Sequence, residues 1–246
     1  MPHIKKAAIV TGGSGEIGKA ICERLAREGW LTAVCYNKDK SSAEELVRRL
    51  QQEGLTAKAF WCDVTDRESM ERCVQAVNRE FGTVELLVNN AGKAHIGLFT
   101  EMTSQELESV IITDLLGAME LSRAVLPQMI REHRGAVVNI ASVWGECGAS
   151  CEVAYSAAKS GLIGFTKALA KEVAPSGIRV NCVSLGLIDT KMNSMLSPQE
   201  LDSLVEEIPA GRMGRPQDAA NAVAFLAGEE AEYIQGQVIR VDGGWI

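Results

Sequence analysis

Seven short runs of this chain are apolar almost without interruption, and segments with one polar face separate them. They are KAAIVTG from residue 6, LTAVCYN from 31, AKAFWCD from 57, VELLVNN from 84, GAVVNIAS from 135, IRVNCVS from 178 and QVIRVDGG from 237. A strand with one wet face alternates apolar and polar residues, whereas a strand covered on both faces does not, so these runs read as a parallel sheet. Between them apolar residues recur at helical spacing over 16–29, 41–53, 66–81, 104–131, 153–176 and 216–227. Such alternation predicts an α/β Rossmann fold, doubly wound, with ligands at the carboxyl ends of the strands. No repeat, low-complexity tract or linker breaks the pattern, so residues 1–246 read as one domain.

Composition narrows the function. With 246 residues and 46% hydrophobic content the chain carries enough apolar material for one large core. A net charge of −7 argues against nucleic acid, which needs a basic footprint. No stretch reaches the ~18 apolar residues of a membrane span, and the opening MPHIKKAAIV lacks a signal-peptide core, so a cytoplasmic protein is expected. Of seven cysteines, Cys22, Cys35, Cys62 and Cys182 lie in or beside apolar runs and read as small hydrophobes. Cys147 and Cys151 fall in WGECGASCE, which reads as loop. No metal site is expected.

The stretch TGGSGEIGKA follows the first predicted strand and opens a helix, the setting a phosphate loop requires. Gly13, Gly15 and Gly18 make G-x-G-x-x-G, which lets backbone approach a pyrophosphate at a helix N-terminus. Glu16 puts an acid in that loop. Directed outward, it complements the helix dipole and leaves the cradle free.

A second cluster is YSAAK, where Tyr155 and Lys159 share one helix face. An ammonium beside a phenol lowers its pKa, which suits a proton donor working near neutrality. Ser142 ends the run AVVNIAS and falls at the same sheet edge, where its hydroxyl suits an oxygen gaining negative charge.

Together these residues resemble the short-chain dehydrogenase/reductase family over nearly the whole chain. Further matches are CDV at 62–64, NNAG at 89–92, IRVN at 178–181 and the closing GQVIRVDGG. The resemblance implies seven parallel strands and a nicotinamide cofactor. Gly12, Ser14, Gly15, Ile17 and Gly18 would hold its pyrophosphate, Asp63 and Val64 would flank the adenine, and Asn90 would lie near a ribose. Ile188 and Thr190 would meet the nicotinamide end. Tyr155 is then the general acid, Lys159 its activator and a ribose ligand, and Ser142 the residue that positions a carbonyl. The fourth catalytic position, usually Asn, is Asp114, in TDLLG. The family's second loop glycine falls on Glu16, and its Pro-Gly after strand six reads Leu185-Gly186.

These matches imply a carbonyl reductase working on a small or carrier-bound ketone. The segments IPAGRMGRPQDAANAVAFLA and GLIGFTKALAKEVAPSGIRVN are similar to 3-oxoacyl-acyl-carrier-protein reductases. SVWGECGASCEVAYSAAK instead looks like a branch that reduces a 5-aminopentanone group on elongation factor P. Glu16 and Asp114 also suit a nucleotide-binding sensor or scaffold, a third reading. Strand two ends at Asn37, followed by Lys38 and Lys40 rather than the acid that binds a ribose hydroxyl, so NADP(H) is expected over NAD(H). Asp39 between the lysines argues the other way. Glu146 and Glu152, with no base in the stretch between Ser142 and Tyr155, predict an acidic substrate mouth. Arg131, Arg134, Lys167 and Lys171 are the nearest basic candidates for an acidic carrier protein. By family analogy the chain forms a homotetramer or dimer.

Overall fold

A computed structural model of the chain describes residues 6–191 and 197–246. Its strands are β1 (Ala7–Val10), β2 (Leu31–Tyr36), β3 (Ala57–Trp61), β4 (Val84–Asn89), β5 (Gly135–Ser142), β6 (Ile178–Leu185) and β7 (Val238–Val241). They form one parallel sheet in the order β3-β2-β1-β4-β5-β6-β7. The helices are α1 (Glu16–Arg27), α2 (Lys40–Gln52), α3 (Arg67–Phe81), α4 (Ser104–Ile111), α5 (Gly117–Glu132), α6 (Trp144–Cys147), α7 (Val153–Val173), α8 (Pro198–Glu207) and α9 (Pro216–Ala227).

The uninterrupted apolar strands have the expected cause. Ala8 and Val10 of β1 pack toward α1, α2 and α9, while Ile9 between them packs toward α3, α5 and α7. Both faces are therefore dry, and each fully buried side chain such as Ile9 or Leu87 contributes about 1.5–3 kcal/mol. The strand order reverses between β1 and β4, where the chain crosses from one half of the sheet to the other. That opens a crevice at their carboxyl ends.

Three segments differ from expectation. The predicted helix 104–131 is two helices joined by a π-helical turn, Ile112–Leu116, which widens the backbone around Asp114. A short helix, α6, occupies part of the segment expected to be loop. Helix α8 was not anticipated from periodicity, although Ser197 and Glu200 form a reciprocal capping box that marks its start.

Candidate active site

The glycine loop sits at the carboxyl end of β1. Gly12 has φ +62, and a Cβ on Gly18 would meet the Gly12 carbonyl oxygen at 2.1 Å, so both positions need glycine. Gly15 differs, since a Cβ there would make an ordinary contact at 3.4 Å. Gly15 also brings no side chain to cap α1. The first intrahelical bond runs from the Lys19 N–H to the Gly15 carbonyl. The N–H groups of Ile17 and Gly18 precede that bond and so lack an intrahelical acceptor, beside the half-buried Ser14. This fits a diphosphate: close backbone, unspent N–H groups and the positive end of a helix.

Asn90 secures the loop from the neighbouring strand. Its Nδ2 donates to the Thr11 carbonyl at 2.8 Å and to the Gly12 carbonyl at 3.3 Å, while its N–H donates to Thr11 Oγ1 at 2.9 Å. Thr11 was not singled out from sequence, yet its hydroxyl also accepts the Ala91 N–H at 2.9 Å. Beneath lies a buried polar chain that sequence reading also missed. Asn89 Nδ2 donates to Asn139 Oδ1 at 2.8 Å, and Asn139 Nδ2 donates to Thr166 Oγ1 at 2.8 Å. These bonds fix β4, β5 and α7 in register at the crevice floor. The clue was an Asn in an otherwise apolar strand, which must find a partner when buried.

Further along the carboxyl edge of the sheet, Asp63 follows β3. Partial burial works against its charge, but hydrogen bonds from Thr65 and Asn37 hold its carboxyl below the usual carboxylate range. Val64 packs beside it against Gly117 at the start of α5. Asp39 is engaged as the cap of α2, accepting the Ser42 N–H and the Ser41 hydroxyl at 3.0 Å each. Lys40 pairs with Glu44 at 3.5 Å, and the exposed Lys38 has no ion pair among the described residues.

Ser142 ends β5, and Tyr155 and Lys159 lie on the first turns of α7, so the three meet at the sheet edge. The Lys159 ammonium stands over the Tyr155 ring, 5.5 Å from its centroid, and donates to the Ile140 carbonyl at 3.0 Å. The Ser142 hydroxyl is a hydrogen-bond partner of Tyr155. Asp114 completes the group: Oδ1 lies 3.2 Å from Lys159 Nζ, with both side chains buried. The Lys93 N–H donates to both oxygens of Asp114, at 3.2 and 3.1 Å. A Cβ on Gly92 would fall 2.6 Å from Asp114 Oδ1, which explains the glycine there.

Electrostatics in this cluster overturn one expectation. The Tyr155 pKa is raised, not lowered: burial opposes the phenolate first, and the Asp114 charge works against the help given by Lys159. Burial also pushes Asp114 up, against the pull of Lys159. Lys159 itself is raised, because burial is outweighed by Tyr155 and Asp114.

The expected acidic mouth is corrected as well. Glu146 is neutralised by Arg240 of β7, at 2.9 Å from Nε and 2.8 Å from Nη2. Sequence reading saw no base nearby because the partner is 94 residues away. Glu152 stands apart. Burial raises its carboxyl pKa, its hydrogen-bond partner is Trp144, and it has no ion pair among the described residues. Of the basic candidates, Arg134 pairs with Glu85 at 2.7 Å at the far, amino-terminal edge of the sheet.

Past β6, Ile188 forms a single parallel bridge with Gly214, and Asp189 N–H donates to the Gly214 carbonyl at 2.8 Å. The half-buried Thr190 follows, and the Lys191 N–H donates to Glu16 at 2.6 Å. Glu16 is exposed, and its carboxylate is bound by a loop other than its own. No helix among the described residues is long and apolar enough to cross a membrane.

Comparison with known proteins agrees with this geometry. A family model described as enoyl-(acyl carrier protein) reductase matches residues 13–246. The chain is 41% identical over 243 residues to the uncharacterized oxidoreductase YmfI of Bacillus subtilis, covering 98% of this chain and 99% of that one. It is 41% identical over 242 residues to the 3-oxoacyl-[acyl-carrier-protein] reductase FabG of Escherichia coli, covering 97% and 96%. A crystal structure of a putative gluconate dehydrogenase from Agrobacterium tumefaciens superposes with a TM-score of 0.94 at 31% identity, covering 98% of this chain and 95% of that one. Matched along its whole length in sequence and in fold, the chain is an oxidoreductase of the short-chain dehydrogenase/reductase family, whose members bind a nicotinamide dinucleotide.

Proposed function

We propose that this oxidoreductase is a carbonyl reductase of the 3-oxoacyl-acyl-carrier-protein type. The observation that carries it is the convergence of Ser142, Tyr155 and Lys159 at one sheet edge, beside a helix N-terminus with open N–H donors. Gly12, Ser14, Ile17 and Gly18 would hold the diphosphate of a bound dinucleotide, Asp63 and Val64 its adenine, and Ile188 and Thr190 its nicotinamide end. A bound nicotinamide dinucleotide supplies the hydride. Ser142 donates a hydrogen bond to the substrate oxygen, and Tyr155 delivers a proton to that oxygen as negative charge builds on it. Lys159 keeps a positive charge beside the phenol, and Asp114 holds Lys159 in place.

Lys38 supports NADP(H) over NAD(H). It is an exposed ammonium at the end of β2 with no ion pair among the described residues, and Asp39, the opposing charge in the sequence, is engaged as a helix cap.

A second substrate reading rests on Glu152. A half-buried carboxylate with no ion pair among the described residues, one helical turn from Tyr155 and next to the Trp144 indole, suits the ammonium of an aminoketone. The test is a panel of a neutral β-ketoester, a carrier-bound 3-oxoacyl group and an aminoketone of similar length, with NADPH and NADH in parallel. Turnover of the carrier-bound substrate above the aminoketone supports the first reading. A preference for the aminoketone that Glu152→Gln removes establishes the second. A folded protein that binds dinucleotide but turns over no ketone would be a sensor or scaffold.

A further inference from the structure

Glu16 presents a chemical conflict. It occupies the first turn of α1, where the open N–H groups suit a phosphate, and it brings a negative charge of its own. Its carboxylate does not cap that helix. It reaches across to accept the Lys191 N–H at 2.6 Å, a charge-assisted bond between segments 175 residues apart in the chain.

The position of Lys191 gives this bond a purpose. Up to Asp189 the segment after β6 is anchored by backbone bonds to Gly214: the Gly214 N–H donates to the Leu187 carbonyl at 2.9 Å, and the Asp189 N–H donates back at 2.8 Å. Glu16 then supplies the anchor at Lys191. Thr190 is held between the two attachments, one residue before the bond to the first turn of α1. In this segment the chain uses a side chain from the phosphate loop itself as the fastening.

We propose that Glu16 is a positioning residue: its carboxylate clasps the segment after β6 to the N-terminus of α1 and so holds Thr190 over the dinucleotide cleft. The proposal rests on the reading of that cleft as a dinucleotide site. Glycine at this position cannot make the clasp, so the departure from the family's glycine is a gain of an interloop bond. Because the carboxylate is committed to Lys191, its charge is partly satisfied and turned from the diphosphate cradle.

The clasp is read by amide hydrogen exchange at Lys191 in the free protein, and its consequence by the NADPH dissociation constant. Three variants separate the roles of reach and charge. Glu16→Gln keeps an acceptor oxygen at the same reach and loses the charge. Glu16→Asp keeps the charge and shortens the arm. Glu16→Gly removes both. A clasp predicts roughly tenfold faster Lys191 exchange in the Gly and Asp variants, as expected for losing a hydrogen bond to a charged group. Both should bind NADPH several-fold more weakly, with KM for the dinucleotide raised more than kcat is lowered. The Gln variant should retain most of the protection and affinity. Equal exchange in wild type and Glu16→Gly overturns the clasp. Faster exchange with unchanged or tighter NADPH binding in Glu16→Gly overturns the positioning role and makes Glu16 a competitor of the diphosphate. If the wild-type chain binds no dinucleotide, the functional reading of the cleft fails, and Lys191 exchange still reports whether the bond exists.

Discussion

Among single residues, the proposed chemistry rests on the cluster around Lys159. Tyr155→Phe preserves the ring and its packing and removes one hydroxyl, so turnover should fall by about two orders of magnitude or more. Steady-state reduction of a β-ketoester checks this, and near-normal turnover would remove Tyr155 as the proton donor. Burial is the first cause of the raised Tyr155 pKa and the Asp114 charge adds to it, and a phenol with a raised pKa keeps its proton to higher pH. On the proposed mechanism, with Tyr155 as the proton donor, reduction is therefore sustained further into the alkaline range, and alcohol oxidation, which would need phenolate, starts later. Asp114→Asn removes the opposing charge, so the alkaline limb of the reduction profile should move to lower pH while activity survives. A limb that stays in place would mean that the Asp114 charge is not felt at Tyr155.

These residues also show what could be read early. Helical spacing put Tyr155 and Lys159 on one face and a strand end placed Ser142, but only the family resemblance singled them out as a site. The direction of the Tyr155 shift was not legible, because it depends on a carboxylate that approaches from another helix and on burial that no local pattern records.

At the scale of elements, the two ends of the crevice are built differently. The glycine loop is set by contacts that leave no room for a side chain, above all Gly18 against Gly12. The start of α2 is set by charge. Lys38→Glu replaces the exposed ammonium at the end of β2 with an acid able to accept from a ribose hydroxyl. The variant should lose catalytic efficiency with NADPH by ten-fold or more, on the order of one lost charged hydrogen bond, and change little with NADH. Parallel kcat/KM measurements with the two dinucleotides decide it, and a preference unaltered by the substitution would place the selecting group elsewhere. The π-helical turn between α4 and α5 was invisible in the apolar spacing, since periodicity over 104–131 is nearly continuous across it. It matters because it sits at Asp114, the residue paired with Lys159.

At the scale of the whole molecule, apolar side chains remain on the surface. Leu98, Phe99, Leu116 and Met119 are exposed around α4 and α5, and Phe225 and Tyr233 around α9. Exposed apolar side chains of this size suit burial against a second copy, which needs no new partner. Light scattering after size-exclusion chromatography should find a dimer or tetramer, and Leu116→Glu with Met119→Glu should shift it toward smaller species. A wild-type monomer at micromolar concentration would exclude that assembly.

Apolar patterning was enough to place the sheet and most of the helices that cover it, because two-sided burial leaves an unbroken apolar run and one-sided burial leaves a helical period. The sequence also marked the place of the glycine loop, whose residue types answer to local backbone geometry. The bonds between segments far apart in the chain had to wait for the fold: Glu146 with Arg240, Glu16 with Lys191, Asp114 with Lys159, and the chain from Asn89 through Asn139 to Thr166. A carboxylate or an amide has no periodic signature. Its partner is fixed by where the fold brings the opposite charge or the matching donor, and that depends on every turn in between.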